Sequence, residues 1–305
     1  MPTAPATAAT DDHFQHSLKT ATRCDGIGLH SGAQVALILR PAEPDSGIRF
    51  RRIDLAPTVE VAADWRHVVD GQRATTIGTL GGGGGPVRIA TVEHLMAALA
   101  ACGVDNAVIE IDGSEMPAMD GSAAPFVAAI EAAGLAEQSA PRRAIEVLKP
   151  VAVSDGDRRV ALTPAASLQI AFTIDYPIPA IGRQSLDADA AALDFRTAIC
   201  PARTFCLEAE VDALRAQGLG LGGSLANTLV VGPDGLLNEG RLRFADEFVR
   251  HKVLDALGDL YLLGRPLIGR FEGLCSGHAM THALLAALAA DGTAWRETEI
   301  ATAGG

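Results

Sequence analysis

The 305-residue chain is 48% hydrophobic and 20% charged, and it carries a net charge of −12. These values are typical of a globular protein with room for two domains, and they exclude an intrinsically disordered chain. Because phosphate backbones bind basic surfaces, the acidic balance also argues against nucleic-acid binding, and we expect no nucleic-acid partner.

The cysteines and the N-terminus indicate the compartment. Five cysteines, an odd number with no CxxC spacing, predict free thiols in a reducing environment. Residues 1–15 lack an apolar core and are predicted to be a disordered leader, not a signal peptide. The longest apolar runs, near 95–102 and 283–290, are too short for a transmembrane segment. We therefore predict a cytoplasmic protein.

The first half of the chain predicts strands followed by helices. Alternating apolar residues predict strands within 17–50 and at 58–63. The glycine run 81–85 lacks the GK[ST] of a phosphate loop and is interpreted as a hairpin tip before a strand at 86–90.

Two helices are predicted next. The first follows Thr91, which can cap it, and ends at Gly103. A strand at 107–111 separates it from a second helix at 123–133.

The second half repeats this order after a polar, proline-containing linker at 136–144. Its predicted elements are strands at 145–153, 159–164, 168–176 and 267–274, and helices at 244–263 and 279–290. We therefore predict an α+β fold with domains at 16–135 and 145–292 and a tail at 293–305.

The predicted helix at 244–263 contains the first candidate for chemistry. His251 and Asp255 are four residues apart, so both side chains lie on one face of the helix. Apolar residues share that face, which indicates that the pair is buried and needs partners. An isolated HxxxD pair is more often a buried hydrogen bond, but two further histidine motifs favour a metal site.

Glu93 and His94 form the second motif, at a helix start. Adjacent helical residues point about 100° apart, so the two side chains do not bind one metal as equals. His94 can be a ligand while Glu93 reaches a water, although such a dipeptide usually only complements the helix dipole. With His251 and Asp255, His94 completes three protein ligands with an open position, which is the pattern of catalytic zinc.

The third motif is Ser276-Gly277-His278, at the start of the last predicted helix. The positive end of the helix dipole is expected to lower the pKa of His278. His282 lies four residues later and offers a rival metal pair with His278, but it is interpreted as a surface histidine. Lys252 either extends to solvent or contacts an anionic substrate.

Six segments together carry a resemblance to a known family. They are TVEHLMAALAACGVDNAVIEI, PAMDGSAAPFV, RTF at 203–205, LGGSLANTLVV, LRFADEFVRHKVLDALGDLYLLG and SGH. In this order and spacing, over about 17–290, they resemble the zinc-dependent UDP-3-O-acyl-N-acetylglucosamine deacetylases. The resemblance implies the committed step of lipid A synthesis in Gram-negative bacteria.

The resemblance also implies an architecture. It predicts two similar domains, each a β-sheet layered against helices, with the active site between the helical layers. An insert in the second domain, at about 206–231, is expected to form an apolar passage for the acyl chain.

Matched by position with the family motifs, His94, His251 and Asp255 resemble the family's zinc ligands. Glu93 resembles the general base, and His278 the general acid or charge stabiliser. We expect His278 to lie outside the metal's coordination sphere. A ring N–H of His278 is expected to donate a hydrogen bond to Asp259, in the predicted helix at 244–263.

The remaining implied roles concern orientation and substrate. Asp259 resembles the residue that orients the catalytic histidine, and Thr204 the hydroxyl that helps to hold the oxyanion. Implied substrate-binding residues are Lys252, Phe205, Asp175 and Tyr176. Two positions depart from the family: Ala74, where some members carry a cysteine, and Ala226, which replaces an acidic residue.

The expected partners are therefore Zn²⁺ and an acylated UDP-N-acetylglucosamine, bound by a monomer. One alternative is a zinc amidohydrolase that acts on another acetylated sugar, and a second is a non-catalytic UDP-sugar or lipid-binding relative. The apolar segment 219–231 favours an acylated substrate. Glu93 beside a three-ligand metal site favours an enzyme.

Overall fold

Two main β-sheets with helices packed against them form the fold, which the computed structural model describes for residues 13–81 and 84–300. The predicted leader lies outside the described residues as far as residue 12, and Phe14 already begins the first strand. Gly82 and Gly83 of the predicted hairpin tip also lie outside them.

The first sheet is built from the first half of the chain. The strands there are β1 (Phe14–Leu18), β2 (Thr22–Ile27), β3 (Gln34–Pro41), β4 (Ile48–Arg52), β5 (Val59–Ala62), β6 (Val68–Asp70), β7 (Thr76–Leu80), β8 (Pro86–Ile89), β9 (Ala107–Ile111) and β10 (Leu135–Pro141). The helices are α1 (Glu93–Cys102) and α2 (Ala124–Ala133), with a 3₁₀ turn at Trp65–His67.

The first main sheet has the strand order β2-β3-β9-β4-β5, and only its β4–β9 pair is parallel. Alternate residues of its strands are buried, as Val35, Leu37 and Leu39 show in β3. Because side chains alternate between the two faces of a strand, this pattern gives the sheet one face for packing. The strands β6, β7 and β8 form a separate small sheet.

The second sheet is built from the second half. The elements of this half of the chain are β11 (Arg143–Val147), β12 (Val151–Asp155), β13 (Arg158–Thr163), β14 (Leu168–Asp175), β15 (Arg183–Asp189), α3 (Phe195–Ala198), β16 (Phe205–Leu207), α4 (Glu208–Ala216), β17 (Leu229–Gly232), β18 (Gly235–Leu236), α5 (Glu247–Tyr261), β19 (Leu267–Leu274), α6 (His278–Ala290) and β20 (Trp295–Glu299). The strand order is β12-β13-β19-β11-β20, and β14 pairs with β19 and β15.

The helices connect the two sheets. Helix α2 packs on β2 and on α1, α1 packs on α5, and α5 packs on α6 and on the strands β14 and β15. Helix α6 packs on β12 and β13. The predicted α+β class, with sheets layered against helices, is confirmed. Within the described part of the chain, no helix has both the length and the apolar character needed to cross a membrane.

Strands occupy much of the predicted linker and tail. β10 covers most of 136–144 and pairs with β1, while β11 begins at Arg143 and pairs with β19 and β20. The chain therefore passes from one set of strands to the other without a loop-like linker, although the domain limits stay a prediction. The predicted tail contains the strand β20. Its pairing with β11 is favoured by opposite charges that face each other across the two strands, as Arg296 and Glu146 do.

The start of α1 also differs from expectation. Thr91 does not cap the helix, because its φ is +61° and its hydroxyl donates to Glu115 Oε1 at 3.3 Å. Val92 is the N-cap residue and makes no side-chain capping bond. The predicted end of the helix is confirmed, since Gly103 has a left-handed conformation there, with φ of +70°.

Gly258 sets the distance between α1 and α5. A Cβ at this position would overlap the carbonyl oxygen of Glu93 and lie 3.0 Å from its Cα. The backbones of the two helices therefore meet at a point that tolerates no side chain. This contact places the first turn of α1 directly against the middle of α5.

Gly258→Ala tests this close packing. At an exposed helix position, Ala stabilises the helix by about 1 kcal/mol relative to Gly. Here we expect the opposite sign, with the free energy of unfolding lowered by about 1–3 kcal/mol, because the methyl group forces the helices apart. Urea denaturation measures the change. The matched control is Gly292→Ala, where a Cβ meets no atom within 4 Å. Equal or higher stability of Gly258→Ala would contradict the packing argument.

Candidate metal centre and active site

Three buried side chains converge where α1 packs on α5. His94 comes from the first turn of α1, and His251 and Asp255 come from successive turns of α5. Asp255 Oδ1 lies 3.3 Å from His251 Nε2 and 3.7 Å from His94 Nε2. Potential ligand atoms of the three residues all lie within 4.8 Å of one another. The predicted three residues are thus brought together in an arrangement that can hold a metal ion.

The charge states of this cluster suit metal binding. Burial, together with the neighbouring His251, lowers the pKa of His94 to about 3, and burial also lowers the pKa of His251. Burial opposes ionisation of Asp255, but His251 and Lys252 hold its pKa well below the usual value. At neutral pH the cluster therefore offers two neutral imidazoles and one carboxylate, a donor set that fits zinc and similar divalent ions.

The ring of His251 is held by the backbone. Its Nδ1 lies 3.1 Å from the carbonyl oxygen of Ala202, which can only accept, so Nδ1 carries the proton. Nε2 is then the unprotonated nitrogen, and it lies on the side of the other two potential metal ligands. A carbonyl partner of this kind is the usual means of orienting a metal-binding histidine.

Glu93 and His278 lie beside the cluster and face each other. Glu93 Oε1 is 3.9 Å from His278 Nε2, and His278 Nε2 is 3.8 Å from Asp255 Oδ2. The backbone N–H of Thr75 donates to Glu93 Oε2 at 3.0 Å. Burial raises the pKa of Glu93 to about 7, against the opposing effect of His278.

His278 begins α6 and makes the predicted hydrogen bond, since its Nδ1 lies 2.8 Å from Asp259 Oδ2. The expected lowering of its pKa is wrong. Burial does favour the neutral ring, but the Asp259 carboxylate outweighs it and raises the pKa to about 9. A charge-assisted hydrogen bond at this distance is stronger than the interaction with a helix dipole.

The interpretation of His282 as a surface residue is also wrong. Its side chain is only 10% exposed, and its Nε2 lies 2.8 Å from Thr75 Oγ1. Gly71 allows this contact, because a Cβ there would press on Ala279 and on the His282 ring. The described residues contain one group of three potential metal ligands, and neither His278 nor His282 belongs to it.

A cavity of about 670 Å³ opens onto this cluster. The predicted site residues that line it are Glu93, His94, Tyr176, Thr204, Phe205, His251, Lys252, Asp255 and His278. Asp259 lies behind His278, and Asp175 is an exposed residue paired with Arg183 at 2.9 Å, outside the lining. A larger cavity of about 1040 Å³ contains none of the predicted site residues.

Aromatic rings and a lysine form part of the lining. The Phe205 ring packs edge-on against Tyr176 and Phe248, with centroid distances of 5.6 and 5.1 Å. Lys252 does not extend to solvent, because its Nζ donates to Asp255 Oδ2 at 2.5 Å. The lysine thus lies at the cavity wall beside the predicted metal ligands.

The segment 206–231 supplies much of the apolar wall. It contains α4, part of the small sheet β16-β17-β18, and the loop between α4 and β17. Lining residues from the segment include Cys206, Val211, Leu214, Leu225 and Val230. Leu221 and Leu225 are about half exposed, at 55% and 50%. The segment therefore forms one wall of the cavity, in which these apolar residues lie beside charged ones such as Glu208, Glu210 and Arg215.

Sequence reasoning missed three contributors. Thr75 is a loop threonine with no motif of its own, although it contacts Glu93, Asp259 and His282. Ala202 acts through its carbonyl group, which no side-chain pattern reveals. Gly258 carried a usable signal, because a glycine inside an otherwise helical, buried stretch often marks a close backbone approach.

Comparison with known proteins identifies the family of the chain. The family model described as "LpxC: UDP-3-O-acyl N-acetylglycosamine deacetylase" matches residues 15–290. A UDP-3-O-acyl-N-acetylglucosamine deacetylase of Phenylobacterium zucineum (strain HLK1) is 49% identical over 285 residues, 93% of this chain and 96% of the relative. The protein of that name from Myxococcus xanthus (strain DK1622) is 49% identical over 91% of this chain and 87% of its own.

A third relative has the same name and comes from Acidithiobacillus ferrooxidans (strain ATCC 53993 / BNL-5-31). It is 47% identical over 94% of this chain and 93% of its own. The family match covers both halves of the fold and the three potential metal ligands. The resemblance drawn from the sequence motifs is confirmed: the chain belongs to the LpxC family of UDP-3-O-acyl N-acetylglycosamine deacetylases.

Proposed function

We propose that this protein hydrolyses the N-acetyl group of UDP-3-O-(3-hydroxyacyl)-N-acetylglucosamine, which yields acetate and the free amine for lipid A biosynthesis. One observation carries the proposal: the three potential metal ligands, Glu93 and His278 converge in one cavity of a chain that belongs to this family. A binding protein without activity would not need a raised glutamate pKa beside a metal site.

The proposed metal is Zn²⁺, held by His94, His251 and Asp255. Two neutral imidazoles and one ionised carboxylate support this choice, because three such ligands leave a position open in catalytic zinc sites. When bound, zinc supplies Lewis acidity, which polarises an amide carbonyl and lowers the pKa of water.

Glu93 is the proposed general base. Its carboxylate takes a proton from the attacking water while the water oxygen forms a bond to the acetamide carbon. The pKa of about 7 makes Glu93 able to accept this proton near neutral pH. The Thr75 N–H holds Glu93 Oε2, which leaves Oε1 on the side of His278.

His278 is the proposed general acid. With a pKa of about 9 it is protonated when Glu93 is ionised, so the two residues start the reaction in opposite states. The C–N bond breaks as His278 Nε2 gives its proton to the departing amine. Asp259 holds Nδ1 of the same ring and so directs Nε2 toward the cavity.

The remaining lining residues are proposed to bind substrate. The Thr204 hydroxyl helps to hold the oxyanion, a contribution worth about 3 kcal/mol for one well-placed donor. Lys252 contributes positive charge, and Phe205 and Tyr176 contribute an aromatic wall in which the rings pack edge-on. Asp175 lies outside this cavity, and its assignment to the nucleotide side stays a prediction.

The apolar residues that segment 206–231 contributes to the cavity wall favour an acylated substrate over another acetylated sugar. We also propose that the protein acts as a monomer in the cytoplasm. The site is complete within one chain, and all five cysteines are free among the described residues.

The metal is tested by chelation and by two histidine variants. Removal of zinc is expected to abolish acetate release, and added zinc to restore it. His251→Ala is expected to lose both metal and activity. His278→Ala is expected to keep its metal by elemental analysis but to lose activity on the order of 10²–10⁴-fold. Full activity of metal-free protein would contradict the proposal.

The pH dependence tests the two proton-transfer roles. Below about pH 7 Glu93 becomes protonated, and above about pH 9 His278 loses its proton, so kcat/KM should fall on both sides. Glu93→Ala should lose activity on the order of 10²–10⁴-fold and lose the acidic limb. An acidic limb that persists in this variant would assign it to another group.

The acyl chain is tested by comparing the acylated substrate with UDP-N-acetylglucosamine. Each buried methylene contributes about 0.8 kcal/mol, so we expect kcat/KM to be at least about 100-fold lower without the chain. Leu225→Asp should lower kcat/KM for the acylated substrate only. Leu80→Asp, at an exposed hairpin leucine outside the cavity, is the control. Equal rates on both sugars would favour the other amidohydrolase function.

A further inference from the structure

We infer that Thr75 and His282 are positioning residues, which hold Asp259 and thereby orient His278 for proton transfer. The inference rests on the proposed function, since it assigns a purpose to contacts behind the general acid. Neither residue belongs to the group of potential metal ligands, and His282 does not line the cavity.

The contacts form a continuous chain. His282 Nε2 lies 2.8 Å from Thr75 Oγ1, and Thr75 Oγ1 lies 2.5 Å from Asp259 Oδ1. The other oxygen of that carboxylate, Oδ2, lies 2.8 Å from His278 Nδ1. Thr75 and Asp259 are almost fully buried, at 0% and 1% exposure, so water does not replace these bonds. Each member is therefore held by its neighbours.

The direction of each hydrogen bond follows from the donors present. An ionised carboxylate only accepts, so the single hydroxyl proton of Thr75 goes to Asp259 Oδ1. The bond between His282 and Thr75 then requires His282 to donate from Nε2. His282 Nδ1 is buried and has no hydrogen-bond partner among the described residues, which agrees with a neutral ring that lacks a proton there.

The donor from His282 also restricts the Thr75 hydroxyl. Thr75 Oγ1 also lies 3.3 Å from His278 Nδ1, so the hydroxyl oxygen is a second acceptor within reach of the His278 Nδ1–H. With His282 donating to the hydroxyl oxygen, the Thr75 proton stays on Asp259 Oδ1 and the His278 Nδ1–H is directed to Asp259 Oδ2. Loss of His282 frees the hydroxyl to rotate.

Thr75 connects both proton-transfer residues. Its N–H donates to Glu93 Oε2 at 3.0 Å, and its carbonyl accepts from Val92 N at the start of α1. The hydroxyl acts on Asp259 at the same time. Thr75 therefore fixes the general base and the partner of the general acid at the same time. A small displacement of either proton-transfer group lowers the reaction rate by a large factor.

The experiment compares zinc-loaded full-length protein with His282→Leu and Thr75→Val, which remove the donor and the hydroxyl without adding charge. We expect kcat to fall on the order of 10–100-fold, as for other residues that orient an active-site ligand. KM should change by less than about threefold and the zinc content should not change, because neither side chain is proposed to touch substrate or metal.

Two further measurements separate positioning from a structural role. The His278 Nδ1–H gives a downfield proton resonance, identified by its loss in His278→Ala, and we expect it to shift or broaden in both variants. His282→Gln should recover most of the activity, since its amide N–H can reach the position of Nε2. His67→Leu is the matched control, because His67 also has a buried, unpartnered Nδ1 but lies outside the chain of contacts.

Wild-type kcat in His282→Leu and Thr75→Val would overturn the inference. So would an unchanged His278 resonance in variants with reduced kcat, failure of His282→Gln to exceed His282→Leu, or loss of zinc. If the wild-type protein itself releases no acetate, the proposed function fails, and the resonance still reports whether the chain of hydrogen bonds exists.

Discussion

The packing of α1 on α5 is the contact on which the site depends. Helix backbones rarely approach closely enough to touch, and Gly258 permits it here by placing no side chain between α5 and the carbonyl group of Glu93. The first turn of one helix thereby supplies His94 and Glu93 to the face of the other that carries His251 and Asp255. The sheets on either side keep the helices in this relation by burying their remaining faces.

This packing buries more ionisable groups than an apolar core tolerates unless they are paired. Asp255 lies close to three imidazoles and to Lys252, while Asp259 contacts His278 and Thr75. The two aspartates stay ionised because cationic or donor groups surround them. Glu93 has weaker compensation, and burial raises its pKa. The surroundings thus shift the pKa values of neighbouring carboxyl groups in opposite directions.

The supporting residues behind His278 follow the same principle. A buried carboxylate needs donors at both of its oxygens, and Asp259 receives one from an imidazole and one from a hydroxyl. The hydroxyl in turn receives one from a second imidazole on the same helix as the first. The resulting network is rigid because every member is satisfied on the side that faces the next.

The sequence alone determined the α+β class, the helices and strands with clear periodicity, and the three potential metal ligands. The four-residue spacing of His251 and Asp255 was enough to place both on one helix face, because helical periodicity is a local property. The resemblance of the motifs to a known family added the roles expected of Glu93, Thr204 and Asp259, which no spacing could supply.

Tertiary structure decided what depends on a partner distant in the chain. The strand at Trp295–Glu299 forms because β11 offers a complementary edge, which the composition of the segment does not show. His282 looked like a surface residue because its burial comes from the loop at Gly71, about 210 positions away. The pKa of His278 rises through Asp259, whereas the local helix dipole predicted a fall. Local patterns determine which face a side chain occupies, and only packing determines what that face meets.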